Sequence, residues 1–211
     1  MAIGDIYIRR NSSDNSVLPN AGGNLFAEWG DVATQQGTVV SDYSGGTFTL
    51  PAGMYLIMYS EKFSTADTTN NERLEVQGEI NVSTGQVSAY AQDFIRKQSG
   101  QQDCSVNSAM ILEASSTVSF QTRFYRTDNS TSGVCTRVPN FGSVMILQLD
   151  PTDAYGMYSA SSSQNFNTAE VSVNFNTTLR QDTSFNRNAD TIQIADAGRY
   201  FITYTMFLST T

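Results

Sequence analysis

The sequence predicts an all-β protein folded as an antiparallel sandwich, with a second, partial copy of the same fold behind it. Three observations carry this. Apolar residues alternate at period two through most hydrophobic stretches, which is the spacing of half-buried strands. Turn signals cut those stretches short at Ser44-Gly45-Gly46, Pro51-Ala52-Gly53, Gly100, Asp128-Asn129-Ser130 and Pro139-Asn140. One phrase also occurs twice: TFTLPAGMYLIMYSEKFST begins at Thr47 and TIQIADAGRYFITYTMFLST at Thr191. The copies lie about 145 residues apart, which is a domain length and not a solenoid repeat.

The elements follow in order. Ile6 and Ile8 alternate and open the first strand. Phe48 and Leu50 form a strand that reverses at Pro51-Ala52-Gly53, and Tyr55, Ile57 and Tyr59 line one face of the next. Ala109 to Leu112 is a short apolar run, followed by Val118, Phe120 and Phe124. Val144 to Leu149, VMILQL, reads as a strand buried on much of both faces. Asp150-Pro151 marks the boundary, so residues 1–150 are expected to be a complete domain whose first 20 or so residues form an arm. Residues 151–211 then supply the opening part of a second domain: a strand at Val171 to Phe175, a turn around Asn186-Arg187-Asn188-Ala189 and the repeated rising strand. The strands that close the first copy are not reached before Thr211, so a partner or further chain is expected to cover Thr191–Leu208.

Composition narrows the chemistry. The chain has 211 residues, is 39% hydrophobic and only 15% charged, and carries a formal net charge of −8. An acidic surface repels nucleic acid and anionic membranes, so neither is expected as a partner. Histidine is absent, which removes the commonest general base and metal ligand. Glu61, Glu72, Glu75 and Glu79 crowd one region, but Glu72, Glu75 and Glu79 sit in a polar stretch that a solvated strand or loop explains better than the paired carboxylates of a glycosidase. Asp150 and Asp153 are the nearest approach to a calcium loop. No catalytic, cofactor or metal set is therefore assigned, and the chain is expected not to be an enzyme. Cys104 and Cys135 can form a disulfide closing a loop of about 30 residues, or stand as two free thiols. The N-terminal MAIGDIYIRRNSS has no apolar signal core, so synthesis in the cytoplasm is expected.

The stretches Phe48–Tyr59 and Ile192–Tyr204, each a turn closing on Ala-Gly and then an aromatic-rich strand, resemble the tumour-necrosis-factor-like jelly roll, which is also the fold of the complement globular domain. Val144–Leu149 resembles its closing strand and Ala154–Phe175 its opening strand and first return. The resemblance implies a ten-stranded sandwich that trimerises through an aromatic-rich face. Tyr55, Tyr59, Tyr200 and Tyr204 are the residues expected at that trimer or partner interface.

The function expected from these features is structural. The chain reads as a capsid decoration, or cement, protein of a tailed bacteriophage, displayed on the virion surface. It would bind the major capsid protein as a homotrimer, with Ile6, Ile8, Arg9 and Arg10 in the capsid-facing arm. The first alternative is a fibre or receptor-binding module that grips glycans, with Trp29, Glu28 and Asp31 as the nearest grouping. The second is an extracellular cytokine-like ligand.

Overall fold

The computed structural model describes residues 5–10, 16–20, 23–67, 72–88, 90–98, 100–128, 133–150, 154–159, 175, 177–188, 191–197 and 202. The chain divides between Asp150 and Pro151 into two compact units. The first contains β1 (Ile6–Arg10), β2 (Val17–Leu18), β3 (Asn24–Phe26), β4 (Val32–Gln36), β5 (Asp42–Ser44), β6 (Thr47–Leu50) and β7 (Gly53–Ser64). It continues with β8 (Arg73–Val82), β9 (Ala91–Arg96), β10 (Asp103–Ala114), β11 (Val118–Arg126), β12 (Cys135–Arg137) and β13 (Ser143–Leu149). The second contains β14 (Gly156–Ser159), β15 (Thr177–Gln181), β16 (Phe185–Asn188) and β17 (Thr191–Ile194).

The first unit is an antiparallel jelly-roll sandwich. One sheet runs β2-β12-β7-β13-β1-β4, with β10 on the other edge of β7; the other runs β5-β6-β11-β8-β9, with β3 also on β11. The chain crosses between the sheets at β2–β3, β3–β4 and β4–β5, at β6–β7 and β7–β8, and again at β9–β10, β10–β11 and β11–β12. Each crossing leaves alternate residues facing the other sheet, which is why period two dominates the sequence. On β7 the inward set is Tyr55, Ile57, Tyr59, Glu61 and Phe63. Phe48 stacks on Phe120 at 4.9 Å, and Phe124 meets Tyr59 at 5.2 Å and Phe63 at 5.1 Å. These rings fill the space between the sheets, each such pair adding about 1 kcal/mol beyond its burial.

Three glycines are required by geometry. Gly45 and Gly46 turn β5 into β6 with φ of 54° and 79°, the left-handed pair that a two-residue hairpin needs. Gly78 sits beneath Tyr59 and Phe124: a Cβ there would lie 2.4 Å from the Tyr59 hydroxyl and 2.8 Å from the Phe124 ring. That hydroxyl has no hydrogen-bond partner, and burial, aided by Glu79, pushes its pKa well up.

The expected arm is instead part of the sheet. β1 lies between β13 and β4, and Tyr7 is buried in the core. β2 pairs with β12, and Asn20 accepts a hydrogen bond from the Arg126 guanidinium. The physical reason is the Ile6-Tyr7-Ile8 alternation itself: an apolar strand with an aromatic on one face gains more by pairing than by staying free.

The disulfide is also corrected: both cysteines are free and buried. β7 runs between them, since Cys104 and Arg137 pair with Phe63 from opposite edges. Two strand spacings of about 4.8 Å each exceed the roughly 7 Å Cα limit for a disulfide. Burial pushes the Cys104 thiol well up and that of Cys135 up to about 12. Neither thiol is expected to react with a thiol reagent near pH 8 in the native chain, and both are expected to react after denaturation. Unfolded cysteine deprotonates near pH 8.5. These thiols therefore add stability that is complete below about pH 8.5 and is lost as pH rises towards 12. A urea titration across that range measures the decline.

The second unit repeats the opening pairings of the first. Tyr43 faces Phe48 and Ser44 faces Thr47, with two residues between the strands; Arg187 faces Ile192 and Asn188 faces Thr191 in the same register. β14 pairs antiparallel with β15 as β1 does with β4, each pair with one register shift. Val171–Asn174, Tyr200, Tyr204 and most of the repeated rising strand lie outside the described residues.

Candidate functional site

The outer face of the first sheet is apolar where four strands meet. Ile111, Leu56, Leu147 and Ile6 stand side by side across β10, β7, β13 and β1. Two residues along, Ala109, Met58, Met145 and Ile8 form a second row. All eight are partly exposed. Strand spacing makes the band about 14 Å wide, and Ser60, Asn107 and Ser143 border it. A contiguous apolar surface on a folded unit marks an interaction face. It exists because the alternation on β7 is two-sided: Leu56 and Met58 fill the gaps between Tyr55, Ile57 and Tyr59.

The expected interface tyrosines point the other way. Tyr55 is 1% and Tyr59 3% exposed, and the Tyr55 hydroxyl donates to the Pro51 carbonyl at 3.0 Å. They are core residues, and the surface of the same strand belongs to Leu56 and Met58. Arg9 is likewise engaged inside the chain. Its guanidinium lies 3.7 Å from the Tyr43 ring centre and donates to the carbonyls of Trp29 at 3.0 Å and Gly30 at 2.7 Å. It pins the β3–β4 connection and is not a free capsid contact. The side chain of Arg10 lies outside the described set. Ile6 and Ile8 do face outward, but as members of the apolar band.

Trp29 is a core anchor as well. It is 3% exposed, its indole N–H donates to Thr122 Oγ1 at 3.0 Å, and the Arg137 guanidinium sits 5.2 Å from its ring. Arg137 in turn donates through Nε to Glu61 Oε2 at 3.0 Å and through Nη1 to the Glu28 carbonyl at 2.9 Å. The grouping of Trp29, Glu28 and Asp31 is therefore not a sugar platform. The crowded carboxylates are each held by a cation: Glu61 by Arg137, Glu72 by Lys97, Glu75 by Arg73 and Glu79 by Arg123. Lys97, 1% exposed, also meets Asp67 at 3.0 Å. Asp153 lies outside the described residues.

No family model matches the chain and no curated protein does. Solved structures do. The crystal structure of murine APRIL at pH 8.0 is 10% identical, with 69% of this chain and 98% of that one covered and a TM-score of 0.47. The globular domain of zebrafish complement 1qA protein is 12% identical, covering 69% and 94%, with a TM-score of 0.42. These likenesses concern the jelly-roll fold alone.

Proposed function

We propose that the chain is a non-catalytic structural protein that assembles as a homotrimer through the outer face of its first sheet, and that the trimer decorates a virus capsid. The apolar band on β10, β7, β13 and β1 is the observation that carries the reading. Partly exposed apolar rows of this kind leave water when copies of the chain converge on them around a symmetry axis. Three-fold assembly is the arrangement that the jelly-roll resemblance implies. The carboxylates, held in ion pairs with Arg137, Lys97, Arg73 and Arg123, serve the scaffold in this reading and not acid–base chemistry.

Ile6 and Ile8 then belong to the self-contact, and the surface offered to the major capsid protein lies elsewhere on the trimer. A decoration protein of a tailed phage works by contacts summed over many copies, so weak individual contacts suffice. Two measurements test the two halves of the proposal. Light scattering of the full chain at micromolar concentration is expected to give a trimer mass, and a monomer would sink the self-assembly. Addition to bare capsids is expected to raise their melting temperature, and unchanged melting would remove the capsid role while leaving the trimer intact.

A further inference from the structure

The outer face of the second sheet carries a different chemistry. One row crosses four strands: Phe26 on β3, Arg123 on β11, Glu79 on β8 and, one residue before β9, Tyr90. Tyr90 is 62% and Phe26 40% exposed, and three strand spacings set them about 14 Å apart. In the adjacent row Tyr125 stands opposite Gln77, and Gln77 opposite Gln92.

The polar groups between the two exposed rings are already ordered. Gln77 Nε2 donates to Gln92 Oε1 at 2.7 Å, and Gln92 Nε2 donates to Glu75 Oε2 at 3.1 Å. Glu79 is paired with Arg123, and the Arg123 guanidinium lies 5.6 Å from the Tyr125 ring. The Nε donors of Arg123 and of neighbouring Arg73 have no partner. Both nitrogens are buried, so they lie beyond the reach of a ligand on this face.

We infer that this face binds an oligosaccharide. A pyranose ring offers an apolar C–H face and a rim of hydroxyls that both donate and accept. Exposed tyrosine and phenylalanine rings match the first, and amide, carboxylate and guanidinium groups match the second. The charges argue against the competing occupants. Arg73, Arg96 and Arg123 exceed Glu75 and Glu79 by one charge on this face, and a single excess charge gives a polyanion such as nucleic acid little hold against the −8 of the chain. An apolar protein surface would bury those charges at a cost that its contacts do not return. A sugar leaves them solvated through its own hydroxyls. Because the side chains stand on paired strands and already bond one another, little ordering cost is left for binding.

This face is separate from the band assigned to self-association, so the two ideas fail independently. The test is an array of neutral and acidic glycans probed with the full chain, followed by calorimetry on the best hit. Tyr90→Ala and Gln77→Ala are each expected to weaken that hit at least about tenfold, with melting temperature and oligomeric mass unchanged. A Leu56→Asp variant is expected to keep full affinity per protomer. An array without hits overturns the inference. So does binding that survives Tyr90→Ala, and so does binding confined to polyanions and abolished by high salt.

Discussion

Replacing Arg137 with alanine is expected to destabilise the first unit by about 3–5 kcal/mol, the usual cost of breaking a buried ion pair from one side. Both members are fully enclosed, at 0% side-chain exposure each. Removal of the guanidinium leaves the Glu61 carboxylate buried without its counter-charge, still accepting from the Lys62 backbone N–H at 3.1 Å. It also frees the Glu28 carbonyl and takes the cation away from the Trp29 ring. One side chain thus ties β12 to β7 and both to the segment carrying Trp29. The double substitution Glu61→Leu with Arg137→Met removes both charges together and is expected to recover most of the loss, because the penalty comes from the orphaned charge and not from the missing attraction. Urea midpoints of the three proteins decide the matter. A single-variant loss under about 1 kcal/mol would mean that water reaches the pair.

The paired substitution Leu56→Asp and Met58→Asp is expected to turn the proposed trimer into a folded monomer. Both side chains lie on the outer side of β7, partly exposed, and the core contacts of that strand are made by its other face. The protomer therefore loses little, within about 1 kcal/mol for surface positions. The assembly loses far more, since carboxylates from every copy would converge where apolar rows meet, and like charges at an interface cost several kcal/mol. Light scattering should report the fall in mass while the far-ultraviolet circular dichroism of the β-sheets stays the same. A trimer that persists would place the interface on another face.

The strands themselves were legible because alternation reports backbone geometry directly. β6, β7 and β13 fall on the stretches that the pattern marked. What alternation cannot report is which of two apolar faces looks inward when both are apolar. On β7 the aromatic phrase points to the tyrosines as the outer set, and they fill the core because their bulk spans the gap between the sheets. The Glu61 position carried an unused signal. It continues the phase of Tyr55, Ile57 and Tyr59 and precedes Phe63, so a carboxylate at that point had to be buried and paired. Its partner Arg137 lies 76 residues along the chain, and no local pattern connects the two. The cysteine spacing was silent for a similar reason, since it carries no trace of the strand running between them. Arg9 misled because a pair of basic residues at a strand end looks solvated until the Tyr43 ring is seen lying against it.

The position of β13 between β7 and β1 has a kinetic consequence. The first strand of the chain docks on a strand that is synthesised more than 130 residues later, with Ile6 facing Leu147. At about 5–20 residues per second, β1 must wait several seconds on the ribosome with its apolar side uncovered. Pairings of such long separation close slowly even in the finished chain, because loop-closure entropy is lost before contact is gained. Completion of the first sheet is therefore a late event, which waits until Ser143–Leu149 has left the ribosome and can join β1 to β7.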